Sequence, residues 1–209
     1  MEGSTEVTAI GADALLFDLG GVLLEIDWRR AFATWSRDSG VPVQDIVARF
    51  SFDAAYAAHE RGEIGTSQYF ASLRRALGIP LSDELLLAGW NAIFVGEVAG
   101  ARELLAAASA HYRLYLFSNT CEAHREHWRP RFAELLQPFD EVFLSCEIRL
   151  RKPDPQAFAY VAQRIGAPPE RIAFFDDAAE NVAGARAAGM RAFQVRSPAA
   201  IAAALRLNA

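Results

Sequence analysis

Five short runs with strand character, separated by helical patterns, restrict this chain to one kind of architecture. The runs are "ALLFDL" (14–19), "YRLYLFS" (112–118), "EVFLS" (141–145), "RIAFFD" (171–176) and "MRAFQV" (190–195). The first and fourth are almost unbroken apolar stretches, the pattern of strands covered on both faces. Helical patterns lie between them: "GARELLAAASA" before the second run, "EAHREHWRPRFAELL" after it, then "DPQAFAYVAQRIGA" and "DAAENVAGARAAG". The last of these ends on Gly189, which reads as a C-cap. Such alternation predicts an α/β fold with a doubly wound parallel sheet.

One region interrupts the alternation. Residues 28–97 read as helices without strands: "WRRAFATWSRDSG", "QDIVARFSFDAAYAAHERG", "SQYFASLRRALG" and "DELLLAGWNAIFV". Gly40, Pro42, Gly62, Gly78 and Pro80 punctuate them. The predicted organisation is a sheet domain made of 11–26 and 98–209, with a small α-helical cap, 27–97, inserted after the first strand.

Composition narrows the function classes. The chain has 209 residues, enough for a sizeable core, with 26 acidic against 21 basic residues and a net charge of −5. No Lys/Arg-rich block is present, so nucleic acid is not an expected partner. The longest apolar stretches fall far short of a membrane span, and "MEGSTEVTAIGA" lacks the features of a signal peptide. Cys121 and Cys146 form no CxxC pair or metal set, and read as free thiols of a reducing, cytoplasmic compartment. A monomer is the default expectation, and residues 1–10 are expected to lack order.

In open parallel sheets, ligands bind beyond the carboxyl ends of the strands. The first run delivers Asp18 there, the second Ser118-Asn119-Thr120 and the fourth Asp176-Asp177, while "RKPDP" brings Lys152 just before a helix. Each has a local reading as well. Asp18 is compatible with a turn or cap, and Asn119 with Glu122 has the spacing of a capping box. Lys152 is compatible with a solvated surface, but Pro153 restricts its backbone, and Asp154-Pro155 reads as N-cap and N1. The acidic pair is the hardest to explain locally. Two adjacent carboxylates near a third repel one another unless a cation sits among them, and oxygen ligands beside a phosphate suggest Mg²⁺. Together the parts describe phosphoryl transfer to a carboxylate: Asp18 attacks phosphorus, and Lys152, Ser118, backbone N–H groups and Mg²⁺ neutralise the phosphoryl oxygens.

"FDLGGV", "LFSNT", "RKPDP" and "FFDDAAENVAGARAAGM" resemble, in order and spacing, the four motifs of the haloacid dehalogenase superfamily. The resemblance covers essentially the whole chain and implies a Rossmann-like core with a helical cap. "HERGEI" (59–64), "GWNAIFV" (89–95) and "FSNT" further resemble a bacterial subfamily of sugar-phosphate phosphatases, the α-D-glucose-1-phosphate phosphatases. The resemblance implies that Asp18 is the nucleophile and a metal ligand, and that Gly20 offers its backbone carbonyl to the metal. Ser118 and Asn119 would bind phosphate, and Lys152 would pair with phosphate and nucleophile. Asp177 would be a direct metal ligand, Asp176 a water-mediated one, and Asn181 a polar support of that loop. The implied ligand is a small phosphorylated metabolite, a sugar phosphate such as glucose 1-phosphate.

Gly20 departs from the family pattern, in which that position usually holds an aspartate serving as general acid and base. Losing such a group typically costs about 10²–10⁴ in rate. The glucose-1-phosphate phosphatases also lack it, and Glu25, Asp27 and His59 are candidate substitutes. The alternatives are a haloacid dehalogenase, which needs no metal and generally lacks an acidic pair, and a non-catalytic protein that binds a phosphorylated ligand. A signalling receiver domain is disfavoured, because receivers place the acidic pair on the first strand. His124 and His127, spaced three apart, fit no zinc motif. Trp28, Trp35, Trp90 and Trp128 read as packing residues, with Trp90 or Trp128 able to stack on a sugar.

Overall fold

The computed structural model describes residues 10–207, so all but the last residue of the stretch expected to lack order lies outside it. The five predicted strands all form: β1 (Ala14–Phe17), then, after the insert, β4 (Arg113–Ser118), β5 (Glu141–Leu144), β6 (Ile172–Asp176) and β7 (Arg191–Gln194). They make one sheet in the order β5-β4-β1-β6-β7, every neighbour parallel. β1 lies at the centre, with the order reversing beside it, so the strand carrying Asp18 ends at the topological switch point.

The parity of the strands separates two cores. Leu15, Phe17, Leu114, Leu116, Ala173 and Phe175 face one side with α6 (Ala101–Ser109) and α12 (Pro198–Leu205). Leu16, Tyr115, Phe117, Ile172 and Phe174 face the other, with α10 (Pro155–Ile165) and α11 (Ala179–Ala187). Both faces are covered, which is why the central runs carry no polar alternation. α10 starts as the sequence implies: Asp154 Oδ1 accepts from Gln156 N at 2.9 Å, and Pro155 opens the helix. Gly189 takes φ +88 just beyond α11.

The insert departs from the expectation of helices alone. Its five helices, α1 (Trp28–Ser39), α2 (Val43–Arg49), α3 (Ala54–Glu60), α4 (Thr66–Leu77) and α5 (Asp83–Asn91), are framed by two short strands. β2 (Leu24–Ile26) and β3 (Phe94–Glu97) pair antiparallel and close the insert at its base. The apolar run "NAIFV" was read as helix, but a short apolar run fits either state, and pairing with β2 decides it. The single helix expected over 44–62 is likewise two, because Asp53 Oδ1 caps a new start by accepting from Tyr56 N at 2.8 Å. Phe50 and Phe52 at the break pack on Trp28 with ring centroids 5.2 and 5.4 Å away.

Beyond the insert, α7 (Glu122–Arg131), the short α8 (Ala133–Leu136) and α9 (Ser145–Ile148) complete the chain. Pro130 falls in the last turn of α7, and the expected long helix from 122 breaks at Phe132. Among the described residues, no helix is long and apolar enough to cross a membrane, and Cys121 and Cys146 are free thiols.

Candidate active site

Asp18 leaves β1 at its carboxyl end, and its backbone N–H donates to the Phe175 carbonyl at 2.9 Å, which fixes its direction. Its carboxylate accepts from Lys152 Nζ at 2.5 Å. The same ammonium donates to Asp176 Oδ2 at 2.7 Å and lies over the rings of Phe117 and Phe174. Lys152 is 1% exposed, so its charge has been withdrawn from water and is held by two carboxylates. Burial alone would push the ammonium down; Asp176 and Asp18 outweigh it and hold the pKa above the ordinary value. Burial pushes the Asp18 carboxyl upward against the pull of Lys152, with Asp176 and Asp177 adding to the rise.

Asp176 is fully buried and accepts from three groups. Besides Lys152 it accepts from Ala178 N at 2.8 Å and from Asn181 Nδ2 at 3.1 and 3.0 Å. Asp177 is exposed by contrast, and burial of its inner side together with Asp176 raises its pKa. Its carboxylate lies against Gly21, whose φ is +80 and where any Cβ would collide with Asp177 Oδ2. Asp18, Asp176 and Asp177 each offer an oxygen within 4.8 Å of the others. Three converging carboxylates, two of them held above their ordinary pKa, are a donor set that a hard divalent cation fits. Asp18 and Asp177 have oxygens to spare for it; both oxygens of Asp176 already accept hydrogen bonds, which leaves it room for a water-mediated link at most.

The capping-box reading of Asn119 and Glu122 does not hold. Cys121 is the N-cap of α7, without a side-chain cap bond. Asn119 instead clamps the lysine segment: Nδ2 donates to the Lys152 carbonyl at 2.8 Å, and Oδ1 accepts from Lys152 N at 2.9 Å. The clamp spans 33 residues and sets where the cis Lys152–Pro153 peptide sits. Ser118, the last residue of β4, is 5% exposed beside it.

Asp18, Gly20, Ser118, Asn119, Lys152 and Asp177 line one cavity of about 340 Å³, with Asn181 at its edge. Its far wall comes from the insert and α7: Ile26, Trp28, Tyr56, Glu60, Ile93, Phe94, His124 and Trp128. Trp128 therefore reaches the cavity, whereas Trp90 is buried beside it, stacked on His124 at 4.7 Å. None of the candidate substitutes for an acid at position 20 lines this cavity. Glu25 is exposed, Asp27 caps α1 and pairs with Arg29, and His59 stacks on Tyr69 with Nε2 at 3.3 Å from Thr66 Oγ1.

Glu60 was missed by sequence reasoning. It is 6% exposed, and its Oε2 accepts from Arg151 Nε at 2.8 Å across 91 residues. Burial raises its pKa against the pull of Arg151. Ser145 joins the same contact, its Oγ donating to the Glu60 carbonyl at 2.7 Å and accepting from Thr120 N at 2.8 Å. The "HERGEI" stretch, of which Glu60 is the second residue, was the available signal, but nothing local distinguished it from a solvated helix end.

The model of haloacid dehalogenase-like hydrolases matches residues 12–189. The chain is 31% identical over 191 residues to phosphatase MT3486 of Mycobacterium tuberculosis, covering 87% of this chain and 86% of that one. It is 22% identical over 186 residues to a D-ribitol-5-phosphate phosphatase of Bacteroides thetaiotaomicron, covering 86% of this chain and 90% of that one. A solved enzyme of this family from Bacteroides thetaiotaomicron, in complex with magnesium and inorganic phosphate, superposes with a TM-score of 0.76 at 28% identity, over 88% of this chain and 94% of that one. The chain belongs to the haloacid dehalogenase-like hydrolases and is an enzyme of their phosphatase type.

Proposed function

We propose that the protein is a Mg²⁺-dependent phosphomonoesterase of small phosphorylated metabolites, working through an aspartyl-phosphate on Asp18. The observation that carries this reading is the convergence of Asp18, Lys152 and the Asp176-Asp177 pair at the end of the central strand. Asp18 and Asp177, with the Gly20 carbonyl, would hold the cation, and Asp176 would support it through water. The bound cation would offset phosphoryl charge and keep the Asp18 carboxylate ionised.

Lys152 neutralises charge on the phosphoryl group while holding Asp18 in place, since one buried ammonium reaches both carboxylates. Asn119 fixes the lysine backbone, and the Ser118 hydroxyl faces the same cavity. A free Asp18 oxygen attacks phosphorus in line, the P–O ester bond breaks and the departing alkoxide takes its proton from water, and a second water then hydrolyses the acyl phosphate to inorganic phosphate and free Asp18. The helices of residues 27–97 act as a cap that walls the site from solvent. Phosphatase MT3486 and the magnesium- and phosphate-bound structure support this reading over dehalogenation, as does the retained acidic pair. Sugar phosphates such as glucose 1-phosphate are the substrates that the sequence resemblance implies.

The test is release of inorganic phosphate from p-nitrophenyl phosphate and a metabolite panel, with Mg²⁺ or EDTA, for wild type and Asp18→Asn. Metal-dependent release reduced to background by the substitution is the expected result. Equal release from both proteins would remove Asp18 from the chemistry.

A further inference from the structure

The cavity over Asp18 is lined by two unlike sets of residues. One is the phosphate-directed group around Lys152. The other is hydrocarbon: Ile26, Trp28, Ile93, Phe94 and Trp128. Polar side chains also reach this second wall, and several of them bond within the protein. Glu60 accepts from Arg151 Nε at 2.8 Å. His124 Nε2 bonds the Trp90 carbonyl at 3.0 Å, and Trp128 Nε1 donates to Thr120 Oγ1 at 3.3 Å. The capacity that remains there, on Glu60, His124 Nδ1, the Tyr56 hydroxyl and the Trp28 indole N–H, is interspersed with five hydrocarbon-rich side chains that offer a sugar hydroxyl no acceptor.

Position 20 continues the same surface. A Cβ on Gly20 would meet Ile26 Cγ1 at 3.1 Å, so a side chain there would crowd an aliphatic neighbour. The volume of about 340 Å³ is at the small end for ligand sites, enough for a phosphate and a ring-sized alcohol.

Resting on the phosphomonoesterase reading above, we propose that the substrate is the monophosphate of a compact, predominantly apolar alcohol. Its hydrocarbon body lies against Ile26, Trp28, Ile93 and Phe94. The hydroxyls of a polyol that face these four side chains would be buried without partners, each costing about tenfold or more in binding, whereas an apolar ring gains contact with the aromatic wall. This departs from the sugar phosphates implied by sequence resemblance alone.

Cyclohexyl phosphate and glucose 1-phosphate separate the two. Both present a six-membered ring, but the anomeric oxygen of glucose is the better leaving group, so intrinsic reactivity works against the proposal. The expected kcat/KM ratio, measured with Mg²⁺ on the wild-type protein, is about 100 in favour of cyclohexyl phosphate. A ratio below about ten, with both substrates hydrolysed and both lost in Asp18→Asn, would overturn the apolar assignment and leave the phosphatase reading intact. No release from either substrate or from p-nitrophenyl phosphate would overturn that reading, and the assignment with it.

Discussion

At the scale of single residues, two adjacent glycines do opposite things. Gly21 is required by geometry: its φ of +80 suits glycine, and a Cβ there would strike the Asp177 carboxylate. Gly21→Ala should therefore push Asp177 aside and weaken Mg²⁺ affinity by about 10–100-fold, with secondary structure retained. Titration of Mg²⁺ against activity checks this, and unchanged metal affinity would show that Asp177 is no ligand. Gly20 has no positive φ, but its free side faces Ile26 at 3.1 Å. An aspartate there has to push Ile26 aside by a few tenths of an ångström, which works against its settling in the orientation a leaving oxygen needs. Gly20→Asp should thus raise turnover by less than about tenfold, well below the 10²–10⁴ of a placed general acid. A gain within that larger range in steady-state kinetics would mean that the site lacks only the acid.

At the scale of elements, the decisive contact is the one that Asn119 makes between the end of β4 and the segment before α10. Both of its amide atoms bond the Lys152 backbone, so the loop carrying the ammonium cannot shift independently of the sheet. Asn119→Ala should destabilise the fold by about 1–3 kcal/mol and lower kcat by about tenfold or more, with a smaller change in KM. Denaturant melts and steady-state kinetics read the two separately, and a loss in KM alone would assign Asn119 to substrate contact. The five sheet strands were legible in the sequence because their short apolar runs alternate with helical patterns, and it is the alternation that singles out a parallel sheet. The capping-box alternative for Asn119 rested on its spacing to Glu122, a local rule that a contact 33 residues away overrides. Phe94–Glu97 was misread, because strand character there comes from pairing with Leu24–Ile26, not from local pattern.

At the scale of the whole molecule, the insert and the sheet meet through buried polar groups that only the folded chain brings together. Asp18, Lys152 and the acidic pair were legible because each ends a strand or opens a helix, where topology dictates convergence. Glu60 and His124 were not, since their partners, Arg151 and Trp90, are 91 and 34 residues away. This junction should make stability depend on pH in a definite direction. Burial holds the His124 imidazole down at about 3, against an ordinary value of 6.5, as it stacks on Trp90 and bonds that residue's carbonyl. Below pH 6.5 the unfolded chain takes up a proton that the folded chain refuses, so stability is full above that pH and falls as pH drops toward 3. At pH 5 the loss from this one residue should be about 2 kcal/mol. His59, held down by burial to about 4, adds a loss of the same sign in wild type and variant alike. In His124→Gln, an uncharged side chain of similar reach, the fall in Tm between pH 7 and 5 should therefore be shallower than in wild type. Parallel Tm–pH curves for the two proteins would mean that His124 accepts its proton without opening the junction between insert and sheet.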